Sequence, residues 1–165
     1  MTIREETEAD FVEIVVLTRA AFGGDYEVEL IEKLRAAGLM IRSLVAVDGG
    51  STVGHIFFSE LAVEVDGRRV KAAALAPMAV RPDRQRQGIG SKLIETGLES
   101  LRNHGYEAVI VLGHPNYYPR FGFSPALTAF LTAPFNGKAF MGLELVPGSL
   151  SGQKGSVTYP KVFGA

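Results

Sequence analysis

Leu75–Leu98 reads LAPMAVRPDRQRQGIGSKLIETGL. Small and apolar residues interrupted by a proline give way to a turn rich in arginine and glutamine, then to Gly88-Ile89-Gly90, then to a helical pattern. The spacing predicts a strand over Val70–Val80 and a helix opening at the glycines. In that helix Ile89, Leu93, Gly97 and Leu101 form an i,i+4 row beside Ile94 and Leu98, while Lys92, Glu95, Glu99 and Arg102 face elsewhere. Pro77 has no N–H for a sheet ladder, so it marks an edge, a bulge or the place where two strands part. A strand that enters a helix through two glycines aims the free N–H groups of the first helical turn at one spot, where the macrodipole favours negative charge. That spot suits a phosphate, with Arg81, Arg84, Arg86 and Lys92 supplying compensating charge. The other reading of the glycine pair is close strand-to-helix packing beside a solvated turn.

Two nucleotide-binding patterns fail on spacing. The dinucleotide fingerprint needs a third small residue where Leu93 stands, and the P-loop needs a glycine before its lysine where Ser91 stands.

Outward from this stretch, the N-terminal side predicts a short strand at Thr2–Arg4 and a helix capped around Thr7 and Asp10. A second helix over Asp25–Ala37 follows the break Gly23-Gly24, and Gly38 stops it. Ser43–Val47 and Thr52–Val65 alternate as strands around the turn Asp48-Gly49-Gly50-Ser51, and Asp66-Gly67 turns into Val70–Val80. Val53, His55, Phe57, Ser59, Leu61 and Val63 share one face of the long strand. Gly105 closes the helix, and the apolar run Glu107–Leu112 predicts a buried strand, parallel to the one before the helix. Beyond it the pattern predicts a short helix at Asn116–Phe121, a strand at Phe140–Val146 and a last strand at Val157–Val162, interrupted by Pro160. The order implies an α+β fold with a mixed, mostly antiparallel sheet.

The chain has 165 residues, 47% of them hydrophobic, enough for a sizeable core and for one domain spanning 1–165. Seventeen basic residues against 18 acidic ones leave no global basic field for nucleic acid or an anionic membrane, so any anionic ligand is held locally. The absence of cysteine excludes disulfides, thiolate metal sites and a cysteine nucleophile, and fits a reducing cytoplasm. No apolar stretch reads as a leader or a membrane span, so the expectation is a cytoplasmic, soluble protein.

Gln85-Arg86-Gln87-Gly88-Ile89-Gly90 resembles the acyl-CoA pyrophosphate loop of the GCN5-related N-acetyltransferase (GNAT) superfamily. Leu75-Ala76-Pro77-Met78-Ala79-Val80 is similar to that family's bulged fourth strand, and Tyr118-Pro119-Arg120-Phe121-Gly122-Phe123 to its tyrosine-x-basic-aromatic-Gly-Phe signature. The element order matches over nearly the whole chain, and Gly113–Phe123 with Phe140–Gly148 most resembles the bacterial YhbS-like branch.

The resemblance implies the acyl-CoA N-acyltransferase fold, with splayed fourth and fifth strands that receive the pantetheine arm of acetyl-CoA, and no metal. It implies that the Met78–Ala79–Val80 backbone binds the acetyl carbonyl and pantetheine amides. It further implies that Gln85, Arg86, Gln87, Gly88, Ile89, Gly90 and Ser91 hold the pyrophosphate, and that Asn116 binds pantetheine. Tyr118 matches the family's general acid. The fourth strand carries no acidic residue, a departure that leaves the general base open between Glu60 and His114. His55 reads as a hydrogen-bonded core histidine. The implied activity is direct transfer of acetyl to a primary amine of a small molecule or protein, by a monomer or homodimer; the alternative is a non-catalytic acyl-CoA-binding module. Asp25, Glu27 and Glu29 either attract a cationic amine or simply favour a helix start.

Overall fold

The computed structural model describes residues 1–164. In chain order the elements are β1 (Thr2–Glu5), α1 (Phe11–Phe22), α2 (Tyr26–Ala36), β2 (Met40–Asp48), β3 (Ser51–Val65), β4 (Arg68–Val80), α3 (Ile89–Asn103), β5 (Ala108–Leu112), β6 (Leu131–Thr132), β7 (Phe140–Glu144) and β8 (Gly155–Thr158). Short 3-10 turns precede α1 and α3 and recur after β5. The strand order is β1-β2-β3-β4-β5-β7, with β8 paired to β3 and β6 to β8. The pairings β1–β2, β2–β3, β3–β8 and β5–β7 are antiparallel; β4–β5 and β6–β8 are parallel. This is the mixed, mostly antiparallel α+β sheet that the period changes imply, and no helix among the described residues is long and apolar enough to cross a membrane.

Both hairpin turns use the chemistry their geometry demands. Gly49 and Gly50 have φ of 58° and 79°, and Asp66 and Gly67 have 49° and 80°. Positive φ at both central residues gives the turn a twist that matches the flanking strands. Asp66 is also pinned in place, since its carboxylate accepts from the Gln153 and Lys154 amides.

The chain divides into two compact units. The first comprises Met1–Ser59 and Ala76–Glu99. Its β3 meets α3 so closely that a Cβ on Gly54 would stand 2.9 Å from both Ile89 Cγ2 and Leu93 Cδ1, and one on Gly97 would stand 2.4 Å from the Phe58 ring. The i,i+4 row of α3 is therefore the packing face, and Leu93 and Ile94 are fully buried. Thr7 and Asp10 form the capping box foreseen at the start of α1, with a 3-10 turn inserted before the helix proper. The Arg4 guanidinium, hydrogen-bonded to Asp10, drops the Asp10 carboxyl to about 2 against the opposing effect of burial.

The second unit comprises Glu60–Leu75 and the chain from Ser100 onward. Its core joins Leu61, Val63 and Val65 of β3, Val70, Ala72 and Ala74 of β4, Ala108 and Ile110 of β5, and Phe140, Leu150 and Val157. Two C-terminal expectations need correction. The last strand is Gly155–Thr158 and stops before Pro160, after which Lys161–Phe163 is a 3-10 turn. Pro160 cannot donate to a ladder, which accounts for the stop. The helix expected at Asn116–Phe121 is a single 3-10 turn, Tyr118–Phe121, ended by Gly122 at φ 101°.

Candidate active site

The strand before the loop carries the first group of predicted site residues. The β4–β5 ladder pairs Ala72–Leu75 with Ala108–Val111, and β4 then runs on through a cis Ala76–Pro77 bond to Val80. Its far end is tied down within the first unit, where the Arg81 amide donates to the Val53 carbonyl at 2.8 Å. The Gln85 side chain donates to the Val80 carbonyl at 3.1 Å, fixing the entry of the loop to the end of the strand.

Within the loop Arg86 has φ 63° and Gly88 φ 83°, so two left-handed residues flank Gln87. For a residue with a Cβ this conformation is uncommon and costs energy, and such strain concentrates at functional sites. Alternating left-handed backbone turns successive N–H groups toward one concavity, an anion-binding arrangement. The helix begins immediately after, with the Lys92 amide donating to the Gly88 carbonyl at 3.1 Å. Gln85, Arg86, Gln87 and Gly88 are exposed, while Ile89 is buried and anchors the loop against Gly54.

The loop charges have different uses. Arg81 pairs with Asp83 at 2.6 Å. Arg84 reaches Asp48 at 2.7 Å and donates to the Gln87 side chain at 2.9 Å, which ties the β2–β3 hairpin to the loop. The Arg84 guanidinium, with the N-terminal ammonium 3.6 Å from the same residue, holds the Asp48 carboxyl below its usual range. Among the described residues Arg86 and Lys92 carry no ion pair.

Other predicted site residues lie after β5, within the second unit. The Gly113 amide donates to the Ala139 carbonyl at 2.9 Å. The His114 carbonyl accepts from the amides of Tyr117 (3.1 Å) and Tyr118 (3.4 Å), folding the chain so that the Tyr118 ring lies directly over Gly113. A Cβ at Gly113 would stand 2.4 Å from that ring. Tyr117 and Phe123 meet Tyr118 edge-on, with centroids at 5.3 Å and 5.6 Å. Tyr118 is 8% exposed, and its hydroxyl has no hydrogen-bond partner among the described residues. Burial, aided by Tyr117, pushes its phenol up to about 12, so it stays protonated and able to donate. The side chains of His114 and Asn116 are exposed on the same turn.

Glu60 is placed otherwise. It alternates with Leu61 and Val63, so it stands on the opposite face of β3 from their core, where its carboxylate accepts the Tyr106 hydroxyl at 2.5 Å. Lys71 lies over the same Tyr106 ring at 4.7 Å. His55 is fully buried, with Nε2 2.7 Å from Ser43 Oγ, as expected of a core histidine. Sequence reasoning missed its other neighbours: Glu6 receives both Arg35 and Ser43, and Arg35 lies over the Phe11 ring at 4.2 Å. The charges of Glu6 and Arg35 are distant in sequence, and no local pattern announces such a pair.

The family model described as the acetyltransferase (GNAT) domain matches residues 2–126. This chain belongs to the GNAT acetyltransferase family. Over 99% of its length it is 37% identical to YhbS of Escherichia coli (strain K12), called an uncharacterized N-acetyltransferase, and covers 98% of that protein. The crystal structure of E. coli YhbS in complex with CoA superposes with a TM-score of 0.89 at 36% identity, covering 99% of this chain and 92% of that one. A GNAT acetyltransferase from Brucella melitensis in complex with acetyl-CoA gives a TM-score of 0.81 at 35% identity, covering 98% and 97%. As a GNAT protein the chain is an acyltransferase by family, and its loop and Tyr118 turn are the parts whose chemistry remains to be assigned.

Proposed function

We propose that this GNAT protein transfers the acetyl group of acetyl-CoA to a primary amine by direct attack. The observation that carries the reading is the loop in which Arg86 and Gly88 adopt left-handed backbone at the opening of α3. Its amides, from Arg86 through Ser91, bind the pyrophosphate, with the charges of Arg86 and Lys92 adding electrostatic attraction. The backbone of Met78, Ala79 and Val80 bonds the acetyl carbonyl and pantetheine amides, and Asn116 takes a further pantetheine group. The relatives crystallised with CoA and acetyl-CoA support this choice of ligand.

In the reaction the neutral amine nitrogen attacks the thioester carbonyl, the C–S bond breaks as the tetrahedral adduct collapses, and the CoA thiolate departs. Tyr118 O–H gives its proton to that sulfur, a role suited to a phenol that burial keeps protonated. The amine sheds its extra proton to His114, which is exposed on the Tyr118 turn; Glu60 would first have to release Tyr106.

Calorimetric titration with acetyl-CoA tests the binding half of the proposal, and the absence of binding would sink it. Thiol release from acetyl-CoA across amino acids, polyamines, aminoglycosides and peptide N-termini tests the chemistry. A binding module without chemistry would release thiol with none of them.

A further inference from the structure

The chain holds three asparagines, Asn103, Asn116 and Asn136, and the fold places them in different chemical situations. Asparagine is thermolabile because the amide nitrogen of the following residue can attack its side-chain carbonyl. The attack requires that N–H to be uncommitted, since an amide already donating within the backbone must first give up that bond. Asn103 closes α3, and the His104 amide behind it donates to the Ser100 and Leu101 carbonyls, both at 3.1 Å. After Asn116 the Tyr117 amide donates to the His114 carbonyl at 3.1 Å. After Asn136 comes Gly137, whose amide donates to no partner among the described residues, and the Asn136 side chain makes no hydrogen bond there either.

Gly137 removes a second obstacle. The pair lies in the exposed connection between β6 and β7, and a Cβ placed on Gly137, at φ 91°, would meet nothing within 4 Å. No side chain shields the nitrogen, and glycine reaches backbone conformations closed to other residues. Asp48-Gly49 and Asp66-Gly67 share the spacing, but a carboxylate is a poor electrophile and both are held. Arg84 pairs with Asp48 at 2.7 Å, and the Gln153 and Lys154 amides donate to Asp66 at 3.1 Å and 3.0 Å.

We propose that Asn136 is a site of spontaneous modification, cyclising onto Gly137 and reopening as aspartate and isoaspartate. Hydroxide takes the proton of the Gly137 amide, and the nitrogen attacks Asn136 Cγ. The new C–N bond closes a succinimide, the Cγ–Nδ2 bond breaks, and the side-chain nitrogen leaves as ammonia with a proton from water, which returns the hydroxide. Water then adds to one imide carbonyl. Cleavage at Cγ gives aspartate, and cleavage at the main-chain carbonyl gives isoaspartate, whose chain continues through Cγ. The net change consumes water and releases ammonia, and acetyl transfer takes no part in it. Either product sets a new carboxylate beside Lys138. Isoaspartate also inserts a methylene into the main chain between two fixed points, the Phe135 ring against Tyr159 at 5.2 Å and the Phe140 amide donating to the Gly137 carbonyl at 3.2 Å.

Peptide mapping of the intact protein, incubated at mildly alkaline pH, tests this. Trypsin releases residues 121–138, which carry Asn136, apart from residues 103–120, which carry the other two asparagines. In the folded protein, conversion in 121–138 should be at least about tenfold faster than in 103–120, because only the latter must break a hydrogen bond first. The product should contain isoaspartate, which direct hydrolysis of the side-chain amide does not make. Unfolding in guanidinium chloride frees every amide, so conversion in 103–120 should rise at least about fivefold while that in 121–138 stays within about threefold. Asn136→Gln, whose longer side chain closes a less favourable ring, should abolish the change in 121–138. Aspartate without isoaspartate at position 136, equal rates for the two peptides in the folded protein, or acceleration at position 136 of about tenfold or more on unfolding overturns the proposal.

Discussion

Substituting Gly113 by alanine perturbs the proposed acid without touching its chemistry. A Cβ at this position would lie 2.4 Å from Tyr118 Cε2, 2.9 Å from Cδ2 and 3.4 Å from Cζ. Carbon atoms in contact sit about 3.5–4.0 Å apart, so the ring must retreat by about 1 Å. Tyr117 and Phe123 meet its edges at 5.3 Å and 5.6 Å, which leaves the ring no vacant side to move into without disturbing them. Overpacking of this kind costs about 1–3 kcal/mol of stability. The larger consequence is kinetic, since a misplacement of about 1 Å at a reacting group can cost about 100-fold in rate.

Steady-state thiol release with a saturating acceptor, run beside thermal unfolding, reads both effects. Gly113→Ala should lower kcat by about 100-fold while leaving the acetyl-CoA KM within about threefold. Tyr118→Phe should lower kcat by about 100-fold to 10,000-fold. Because both changes act on one hydroxyl, the double variant should be no slower than the slower single one. A Gly113→Ala protein with reduced Tm but a kcat within twofold of the original would refute the placement of Tyr118 at the sulfur. Fully multiplicative losses in the double variant would refute the idea that Gly113 acts through Tyr118.

Gly88 has φ 83° and open space around its missing Cβ, so Gly88→Ala meets only the left-handed backbone penalty, about 1–2 kcal/mol. If that penalty falls on the bound loop, calorimetry should show acetyl-CoA affinity reduced about fivefold to thirtyfold. Arg86→Gly relieves the same kind of penalty while removing a charge, so it should weaken acetyl-CoA binding without lowering Tm; an unchanged affinity would place Arg86 outside the cofactor contact. Burial holds the His55 pKa below its usual value, although Glu6 opposes this. The unfolded chain therefore binds the proton more readily, and stability present above pH ~6.5 should fall as the pH drops below it, a slope in the urea midpoint that His55→Gln should flatten. The Asp10 carboxyl, at about 2 through Arg4, contributes stability present above the unfolded carboxylate range and lost as pH falls through about 2. Arg4 is 43% exposed, so solvent screening weakens the pair, and Arg4→Ala should move the acid limb of unfolding only slightly, toward higher pH.

Local periodicity made most of the fold legible. The face of α3 follows from Ile89, Leu93, Gly97 and Leu101, and the two hairpins from Asp-Gly and Gly-Gly turns, because each rests on residues that are neighbours in sequence. The C-terminal third was harder to read. The two-residue β6 and the terminal β8 owe their pairing to β3 and to each other, and so short a strand has no period to detect. The site divides in the same way. The loop and the Tyr118 turn are continuous motifs and could be read, whereas the contact of Gly113 with Tyr118 depends on how the chain folds back after β5. Glu60 shows the reverse case: a carboxylate on a suitable strand looked available until the structure brought Tyr106 to it from 46 residues away.

The arginines of the loop show why counting charges in a motif overstates what a ligand can feel. Arg81, Arg84, Arg86 and Lys92 place four cations within twelve residues, but Arg81 is neutralised by Asp83 and Arg84 by Asp48. Arg84 also holds the Gln87 side chain, so its effect on a phosphate comes through the shape of the loop. Arg84→Gln should thus weaken acetyl-CoA binding through loop geometry, with little change in salt dependence, whereas Lys92→Gln should reduce the salt dependence directly. If both variants changed the salt slope equally, Arg84 would be acting as a free charge, and the division between scaffold and ligand-facing cations would fail.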